Sequence, residues 1–331
     1  MIRVVPWKRC TRKQWASIPD ALCHLIHRVV RRGEVLVRGG SQLGFFDVSF
    51  NVLRTETISA IYERFVRIED SERKKDEGVF YTPPHLADHV LDRVEAISPI
   101  TEDSRLIDPA AGSGIFLVGA FRRLMERHPP VGGWHPRHIN RAKSLLLRTI
   151  HGIEKHPQAA NVCRFSLYLT LLDYVGRAPI EKLIEAAGDE KFLPNLCKNI
   201  HSSDAFAKEA EPARYTHVVG NPPWPMTGGQ KDRTNQGAER RAESPAVRAF
   251  ASELQRAHIA FGQKRLSDLF TWLAIRRFSA EGAAIGLLLP ARSVIGRSAS
   301  NFAHCLANKV TIRWIGNLSH LRRKLFDFRS R

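Results

Sequence analysis

The sequence predicts an α/β domain built on a mostly parallel sheet with helices on both faces. The chain of 331 residues is long enough to bury a large core, and its hydrophobic content of 43% is ordinary for a globular protein. After Gly78, short apolar segments alternate with amphipathic ones, as in parallel sheets that are buried on both faces. The domain is therefore assigned to residues 77–331, after a small, basic N-terminal extension at 1–76 with helical and irregular parts.

The elements of this domain follow from its apolar periodicity. Short apolar runs predict strands at 105–108, 149–154, 199–202, 216–220 and 283–289. A further strand is suggested at 310–315. Helical spacing of apolar residues predicts helices at 114–127, 159–172 and 269–278.

Two parts of the chain lack this alternation. Residues 1–50 are basic and interrupted by glycines, although the segment 55–68 after them has helical spacing. Residues 225–262 carry many charges, a Gly228-Gly229 pair and few apolar anchors. We expect this second segment to be a mobile loop over the site, partly disordered without a ligand.

The charge of the chain indicates a polyanionic partner. It has 51 lysines and arginines against 33 aspartates and glutamates, which gives a formal net charge of +18 and a pI near 10.2. Nucleic acid is the first candidate for such a surface, and an anionic membrane surface is the second. No apolar run of about 18 residues predicts a membrane span, and no apolar segment of a signal peptide follows the N-terminal charges.

The cysteines indicate a reducing compartment and no metal centre. The five cysteines are dispersed without a Cys-x-x-Cys pair, which is typical of a cytosolic protein. Cys10, Cys23, His24 and His27 lie near one another in the sequence, but their spacing matches no common zinc module. We therefore expect a cytoplasmic protein without a bound metal.

The segment Asp108-Pro-Ala-Ala-Gly-Ser-Gly-Ile-Phe-Leu117 predicts a ligand-binding turn. A strand ends in an acid, a glycine-rich turn follows and a helix begins, and ligands of open α/β sheets bind at such strand ends. The turn lacks the third glycine of a dinucleotide fingerprint and the Gly-Lys-Ser/Thr of a phosphate loop, which favours a ligand without a phosphate chain. Because Asp108 can pair with an ammonium group, an amino-acid-bearing nucleoside fits this turn.

Acids also stand at the ends of the next two predicted strands. Glu154 ends the second strand, where a carboxylate can accept hydrogen bonds from two ribose hydroxyls. The third strand leads to Asp204-Ala205-Phe206, in which the carboxylate can accept from an adenine amino group while the ring packs beside the base. Three acids at three successive strand ends have the order expected for one adenosine ligand.

The segment Asn221-Pro222-Pro223-Trp224 predicts the chemistry. An exocyclic aromatic amine is a poor nucleophile because its lone pair is delocalised into the ring. The side-chain oxygen of Asn221 and the carbonyl of Pro222 can bind both amine hydrogens and draw the nitrogen toward sp³ geometry. The prolines stiffen the loop and remove competing backbone donors, and Trp224 offers a face on which an extruded base can stack.

Together these segments resemble the N6-adenine DNA methyltransferases, in particular the type I and type IIG restriction-modification kind. The family's Asn-Pro-Pro-aromatic tetrapeptide is matched by residues 221–224, and its cofactor loop by residues 108–117, with Ala111 where the family often has cysteine. A third segment, Gly78-Val-Phe-Tyr-Thr-Pro83, resembles the family's Tyr-Thr-Pro segment. The order of these segments matches the gamma arrangement, in which a target-recognition domain follows the catalytic one.

The resemblance implies a Rossmann-like, class I S-adenosylmethionine-dependent methyltransferase that modifies N6 of a flipped-out adenine in double-stranded DNA. S-adenosylmethionine is the implied cofactor, with the Tyr-Thr-Pro segment near its methionine end. Because the chain ends soon after the last predicted strand, we expect no target-recognition domain, so that a separate specificity subunit supplies recognition or the chain is truncated. The implied residues are Asn221, Pro222, Pro223 and Trp224 for catalysis, and Tyr81, Thr82, Asp108, Pro109, Ala110, Gly112, Gly114, Glu154, Asp204, Ala205 and Phe206 for the cofactor.

Two alternatives remain open from the sequence. Asn-Pro-Pro-aromatic also serves methyltransferases of protein glutamine and of guanine in ribosomal RNA, since these nitrogens share the same delocalised lone pair. A basic DNA-binding protein that has lost catalysis would also carry this net charge. Methyl transfer to different acceptors separates the first alternative from the prediction, and binding of S-adenosylmethionine separates the second.

Overall fold

The protein, described here from a computed structural model, divides into two compact units at Met1–Arg54 and Thr55–Arg331. The structure describes residues 34–37, 40–43, 82–175, 185–186, 188, 193–207, 214–224, 244–262, 266–295 and 299–318. The predicted helix at 55–68 and the four candidate zinc ligands lie outside these residues. The predicted domain boundary after residue 76 stays a prediction.

In the first unit, two short strands form an antiparallel ladder. β1 (Glu34–Val37) pairs with β2 (Gly40–Leu43), so that Glu34 lies opposite Leu43 and Val37 lies opposite Gly40. The prediction of irregular structure was therefore wrong at these positions. Strands of four residues are stabilised mainly by contacts with the partner strand. They are too short to show a clear alternation of apolar and polar residues in the sequence.

The second unit contains a five-stranded parallel sheet. Its strands are β3 (Leu106–Asp108), β4 (Ile150–Glu154), β5 (Ile200–Ser202), β6 (Tyr215–Gly220) and β7 (Ser279–Leu287). Their order is β5-β4-β3-β6-β7, and each neighbouring pair is parallel. The winding direction reverses between β3 and β6, which is where ligands bind in doubly wound sheets.

Helices flank these strands. They are α1 (Pro84–Glu95), α2 (Ile115–Arg127), α3 (Ile139–Thr149), α4 (Pro157–Val175), α5 (Pro245–Arg256), α6 (Leu266–Leu273) and α7 (Ser300–Ala307). The bounds of α2 and α4 confirm the helices predicted at 114–127 and 159–172 to within a turn. No helix in the described part of the chain combines the length and apolar character needed to cross a lipid bilayer.

Hydrophobic side chains cover the sheet on both faces. Along β3, Leu106 belongs to the core formed with α1 to α4, whereas Ile107 belongs to the core formed with α5 to α7. Along β6, Val219 and Val218 divide in the same way. Because successive strand residues point to opposite faces, each face carries its own helical layer, and the predicted α/β architecture is confirmed.

The close contact between α1 and β7 depends on a glycine. A Cβ atom on Gly286 would overlap the side chains of Val90 and Val94, both buried on α1. Because β-branched side chains have few alternative rotamers, Gly286→Ala is expected to lower the free energy of unfolding by about 1–3 kcal/mol. Urea denaturation measures this change, and a variant as stable as the wild type would show that α1 can move away without loss.

The connection between α6 and β7 is shorter than the apolar periodicity predicted. The helix predicted at 269–278 is α6 followed by a π-type turn at Ala274–Phe278, and β7 begins at Ser279 rather than at residue 283. The hydroxyl of Ser279 donates to the carbonyl of Ala274 at 2.8 Å. This bond closes the turn and allows the strand to begin at once.

The segment predicted as a mobile loop, 225–262, contains helix α5, and its part before Ser244 lies outside the described residues. The Ser244 hydroxyl caps the helix by accepting a hydrogen bond from the N–H of Val247 at 3.2 Å. Val247, Phe250 and Leu254 are buried in the core. The prediction was wrong for α5 because three apolar residues at helical spacing can bury one face of a helix within a charged segment.

The strand suggested at 310–315 is not formed. The described residues after α7 are irregular from position 311 on, and no described strand pairs with them. Trp314 instead contacts α1, where its ring lies 5.1 Å from the ring of His89 and 5.1 Å from the guanidinium of Arg93. Alternating apolar residues are not sufficient for a strand, because a strand also needs a hydrogen-bonded neighbour.

Candidate active site

The predicted acids and the tetrapeptide meet at one edge of the sheet. Asp108 is the last residue of β3, Glu154 is the last residue of β4, and Asn221 directly follows β6. Asp204 lies just beyond β5, and the neighbouring Ser203 N–H donates to the carbonyl of Glu154 at 3.1 Å. The structure therefore brings these residues to the carboxyl edge of the strands, where the winding direction reverses.

The turn after β3 contains two glycines with left-handed backbones. Gly112 has a φ of +55° and Gly114 a φ of +92°, values that glycine adopts without strain. A Cβ atom on Gly114 would lie 2.7 Å from the sulfur of Cys163 on α4, whereas one on Gly112 would meet nothing within 4 Å. The turn is thus packed closely against α4 at Gly114 and is open at Gly112.

The carboxylate of Glu154 is held by two backbone N–H groups. Oε2 accepts from Gly112 at 2.8 Å, and Oε1 accepts from His156 at 2.8 Å. The residue is only 8% exposed. Since a carboxylate offers about four acceptor positions, Glu154 is oriented by the backbone and still has acceptor capacity for two ligand hydroxyls.

Asp108 is the most deeply buried acid of this group, with 1% exposure. Its Oδ1 accepts from the N–H of Ala110 at 2.9 Å. Burial raises the pKa of this carboxyl to about 8, the bond from Ala110 opposes the rise, and the charge of Glu154 adds to it. At neutral pH, Asp108 is therefore largely protonated unless a positive charge lies beside it.

Close approach of β6 to Asp108 depends on the glycine that ends the strand. A Cβ atom on Gly220 would lie 2.6 Å from Oδ1 of Asp108. The absence of a side chain at Gly220 leaves space for the carboxyl between the two strand ends. This contact fixes the residue that directly precedes Asn221 against the buried acid.

Asp204 is bound from two directions. Its Oδ1 accepts from the N–H of Phe206 at 3.0 Å, and its Oδ2 accepts from the hydroxyl of Ser244 at 3.1 Å. The ring of Phe206 is 2% exposed and packs into the core, 4.8 Å from the ring of Phe270 between centroids. Contact of this ring with a base stays a prediction.

The amide of Asn221 has one end bonded and one end without a partner. Nδ2–H donates to Oγ1 of Thr82 at 3.0 Å. Oδ1 is buried and has no hydrogen-bond partner in the described part of the chain. A buried acceptor without a partner is rare, and leaving it so costs about 1–3 kcal/mol. This oxygen is therefore a strong indication of a position where a donor from a ligand binds.

The rest of the tetrapeptide is attached to the end of β7. Pro222 is buried, whereas Pro223 and Trp224 are half-buried. The indole N–H of Trp224 donates to the carbonyl of Leu288 at 3.4 Å, and the N–H of Leu288 donates to the carbonyl of Gly220 at 3.0 Å. Trp224 is thus oriented by the backbone while part of it stays accessible, as base stacking would require.

The remaining predicted residues lie around these groups. Tyr81 lies outside the described residues. Pro109 and Ala110 form the start of the turn after β3, and Ala205 is buried next to Asp204. Every described residue of the prediction thus lies at or beside the carboxyl edge of the sheet, while its role in binding stays a prediction.

Two residues that sequence reasoning missed support the loop after β5. Ser244 binds Asp204, and Arg277 donates to the carbonyl of Phe206 at 2.9 Å while its guanidinium lies 4.7 Å from the ring centroid of Phe250. The Ser-Pro pair that begins α5 is a helix-start signal and could have been found. Arg277 gave no signal, because its partners are set by tertiary packing.

Curated relatives of this chain match it over about half of its length. The chain is 25% identical to the adenine-specific methyltransferase PglX of Streptomyces coelicolor, over 46% of this chain and 15% of the relative. It is 24% identical to the type II restriction enzyme and methyltransferase RM.Eco57I of Escherichia coli, over 56% of this chain and 21% of the relative. The chain thus spans less than a quarter of the length of these two proteins.

Among solved structures, the ATP-dependent type ISP restriction-modification enzyme LlaBIII bound to DNA superposes with a TM-score of 0.50 at 16% identity, over 75% of this chain and 17% of that chain. This likeness concerns the fold alone and agrees with the predicted α/β architecture of a mostly parallel sheet with helices on both faces. A family model described as N-6 DNA Methylase matches residues 54–269, which is more than half of the chain. On this match, the chain belongs to the N-6 DNA methylase family.

Proposed function

We propose that this chain is the catalytic part of an enzyme that transfers a methyl group from S-adenosylmethionine to N6 of an adenine in double-stranded DNA. The buried Oδ1 of Asn221 carries the proposal, because it is an acceptor in place for a hydrogen of the target amine. Membership of the N-6 DNA methylase family supports it. A relative named as an adenine-specific methyltransferase supports adenine as the acceptor.

The acids at the strand ends fit S-adenosylmethionine in their chemistry. Asp108 would bind its ammonium group, Glu154 its ribose hydroxyls and Asp204 its adenine amino group. Each of these carboxyl groups is already oriented by a hydrogen bond from a backbone N–H. The open space beside Gly112 allows a ligand to approach the backbone of the turn. The bound cofactor would supply an electrophilic methyl group on a sulfonium centre.

The tetrapeptide would activate the target amine. Oδ1 of Asn221 and the carbonyl of Pro222 would accept its two hydrogens, which holds the lone pair out of conjugation with the ring. The bound cofactor would supply the methyl group in line: its C–S bond would break as the C–N bond forms, so that the cofactor would leave as a neutral thioether and the methylated nitrogen would release one proton to water. No covalent enzyme intermediate would be needed. Catalysis therefore rests on positioning and on hydrogen-bond acceptors that are oriented before the substrate binds.

DNA is the proposed partner of this basic chain. The formal net charge of +18 favours a polyanion, and Trp224 is accessible for stacking of an extruded base. We propose that a specificity subunit or a further domain selects the DNA sequence, since the curated relatives are several times longer than the matched segments. An enzyme with this partner would act in the cytoplasm.

Transfer of a labelled methyl group tests the proposed function. The protein is incubated with S-adenosylmethionine that carries a labelled methyl group and with unmethylated duplex DNA, RNA or protein in separate reactions. After digestion of the nucleic acids to nucleosides and of the protein to amino acids, mass spectrometry is expected to detect label in the N6-methyladenine nucleoside from DNA. Label in RNA guanine or in glutamine would overturn the choice of substrate, and failure to bind S-adenosylmethionine would overturn the choice of reaction.

A further inference from the structure

The hydrogen bond between Thr82 and Asn221 joins residues that are 139 positions apart in the sequence. We infer that Thr82 is a positioning residue, which orients the amide of Asn221 so that its oxygen faces the target amine. This inference rests on the proposed function. It differs from the resemblance, which places Thr82 at the methionine end of the cofactor.

The need for such a residue follows from the shape of the asparagine side chain. Its oxygen and its NH₂ group are similar in size, so rotation by 180° about the last bond exchanges an acceptor for a donor with little steric change. In the rotated state, the NH₂ of Asn221 would face the NH₂ of the target base, and two donors repel. Only the state with the oxygen toward the base can hold the amine for methyl transfer.

Thr82 selects this state by accepting a hydrogen bond from Nδ2 of Asn221 at 3.0 Å. A threonine hydroxyl can donate as well as accept. Once the target amine donates to Oδ1, however, Nδ2 must find an acceptor on its other side. The hydroxyl oxygen of Thr82 is that acceptor, so amine, amide and hydroxyl form one chain of donors and acceptors.

Thr82 is itself held in place by the start of α1. It is 7% exposed, and the next residue, Pro83, accepts backbone hydrogen bonds from Leu86 at 3.0 Å and Ala87 at 3.2 Å. Two consecutive prolines restrict the backbone directly after Thr82. Because α1 packs on β7 through Gly286, the hydroxyl is supported by the same sheet that carries Asn221.

The two roles for Thr82 predict different kinetics. A residue that orients Asn221 affects the chemical step and leaves the dissociation constant of S-adenosylmethionine unchanged. A residue that binds the methionine end of the cofactor raises that dissociation constant when its hydroxyl is removed. The variants Thr82→Val, which removes the hydroxyl at similar volume, and Thr82→Ser, which retains it, separate the two roles.

The experiment measures cofactor binding by titration calorimetry and methyl transfer in single turnovers. For Thr82→Val we expect a rate lower by about tenfold to a hundredfold, which is the size of effect that misorientation of a reacting group produces. If the hydroxyl of Thr82 serves Nδ2 of Asn221, we expect a cofactor dissociation constant within about twofold of the wild type. Thr82→Ser is expected to restore most of the rate.

A third readout does not depend on turnover. In spectra of protein with ¹⁵N-labelled asparagine, the side-chain NH₂ of Asn221 is assigned by its loss in Asn221→Ala. We expect slow hydrogen exchange at this group in the wild type and in Thr82→Ser, and faster exchange in Thr82→Val. Thr82→Ala replaces Thr82→Val if the valine variant does not fold.

Thr170→Val is the matched control. It removes another buried threonine hydroxyl, which donates to the carbonyl of Ser166 within α4 at 2.8 Å, away from the strand ends. It is expected to alter neither the rate nor the exchange at Asn221. An unchanged rate in Thr82→Val, or a loss that lies in cofactor binding alone, would overturn the inference.

Failure of the inference is distinguishable from failure of the proposed function. If the wild type methylates DNA adenine and Thr82→Val does so at the same rate, only the positioning role is wrong. If the wild type binds S-adenosylmethionine and methylates a different acceptor, the proposed substrate is wrong, while exchange at Asn221 still reports whether Thr82 holds the amide.

Discussion

Asn221→Ala is expected to lower methyl transfer to adenine by at least about a hundredfold, as removal of one preorganised polar group at a reacting centre does in other enzymes. The variant loses the buried Oδ1 that would accept a hydrogen of the target amine. Binding of S-adenosylmethionine is expected to stay within about threefold, because the acids proposed to bind it lie on other strands. Single-turnover transfer and titration calorimetry measure the two quantities separately.

Two further substitutions sharpen this prediction. Asn221→Asp keeps a side-chain acceptor, and Thr82 can then donate its hydroxyl to the carboxylate. We therefore expect Asn221→Asp to retain more activity than Asn221→Ala. Asn161→Ala, at an exposed position on α4, is the control and is expected to be neutral. Normal turnover by Asn221→Ala would contradict the assignment of the tetrapeptide.

Asp108→Asn is expected to weaken binding of S-adenosylmethionine by about tenfold to a hundredfold, the size of one hydrogen bond to a charged group. The same change removes the ionisable group whose pKa is about 8 in the folded protein. In the wild type, an ammonium group of the ligand would stabilise the ionised carboxylate and release the proton. The affinity of the wild type should therefore rise as pH approaches about 8, whereas the affinity of Asp108→Asn should lack this rise.

The free energy of unfolding should depend on pH in the opposite direction to the cofactor affinity. The ordinary pKa of the carboxyl is 3.8, so between about pH 4 and 8 the folded state keeps a proton that the unfolded state releases. The free energy of unfolding of the wild type should therefore contain a contribution that is fully present below pH 4 and is lost as pH rises to about 8. Asp108→Asn lacks this loss and should gain stability relative to the wild type as pH rises.

Urea denaturation measures the stability and titration calorimetry measures the cofactor affinity, each at several pH values between 5 and 9. The dependence of the binding enthalpy on the buffer gives the number of protons released, which is about one per ligand at full linkage. Asp103→Asn, at an exposed position before β3, is the matched control and should change neither quantity. A wild type whose affinity falls between pH 6 and 8 would contradict the proposed pairing of Asp108 with an ammonium group.

Much of the fold was predictable because strong local patterns coincide with it. The apolar runs that end in Asp108 and Glu154 form strands, and the two acids are the last residues of those strands. The glycines after Asp108 adopt left-handed backbone conformations, as their presence in a predicted turn suggested. Helix α5 was missed although its Ser-Pro start and its apolar spacing are local signals, whereas the irregular segment at 311–318 was not predictable in this way. In α5, the burial of a few apolar residues outweighs the charged composition of the segment. At 311–318, apolar and polar residues alternate, but no neighbouring strand among the described residues is present to pair with them.

By itself, the sequence determined which chemical groups the site contains and in which order they follow the strands. The acids, the glycine turn and Asn221 with its prolines are local features, and the alternation of strands and helices is enough to predict that they share one edge of a sheet. Only the tertiary structure decided the protonation and the hydrogen-bond partners of these groups. The raised pKa of Asp108, the bond from Asn221 to Thr82 and the amide oxygen without a partner all depend on burial and on contacts between distant segments, which no local pattern encodes.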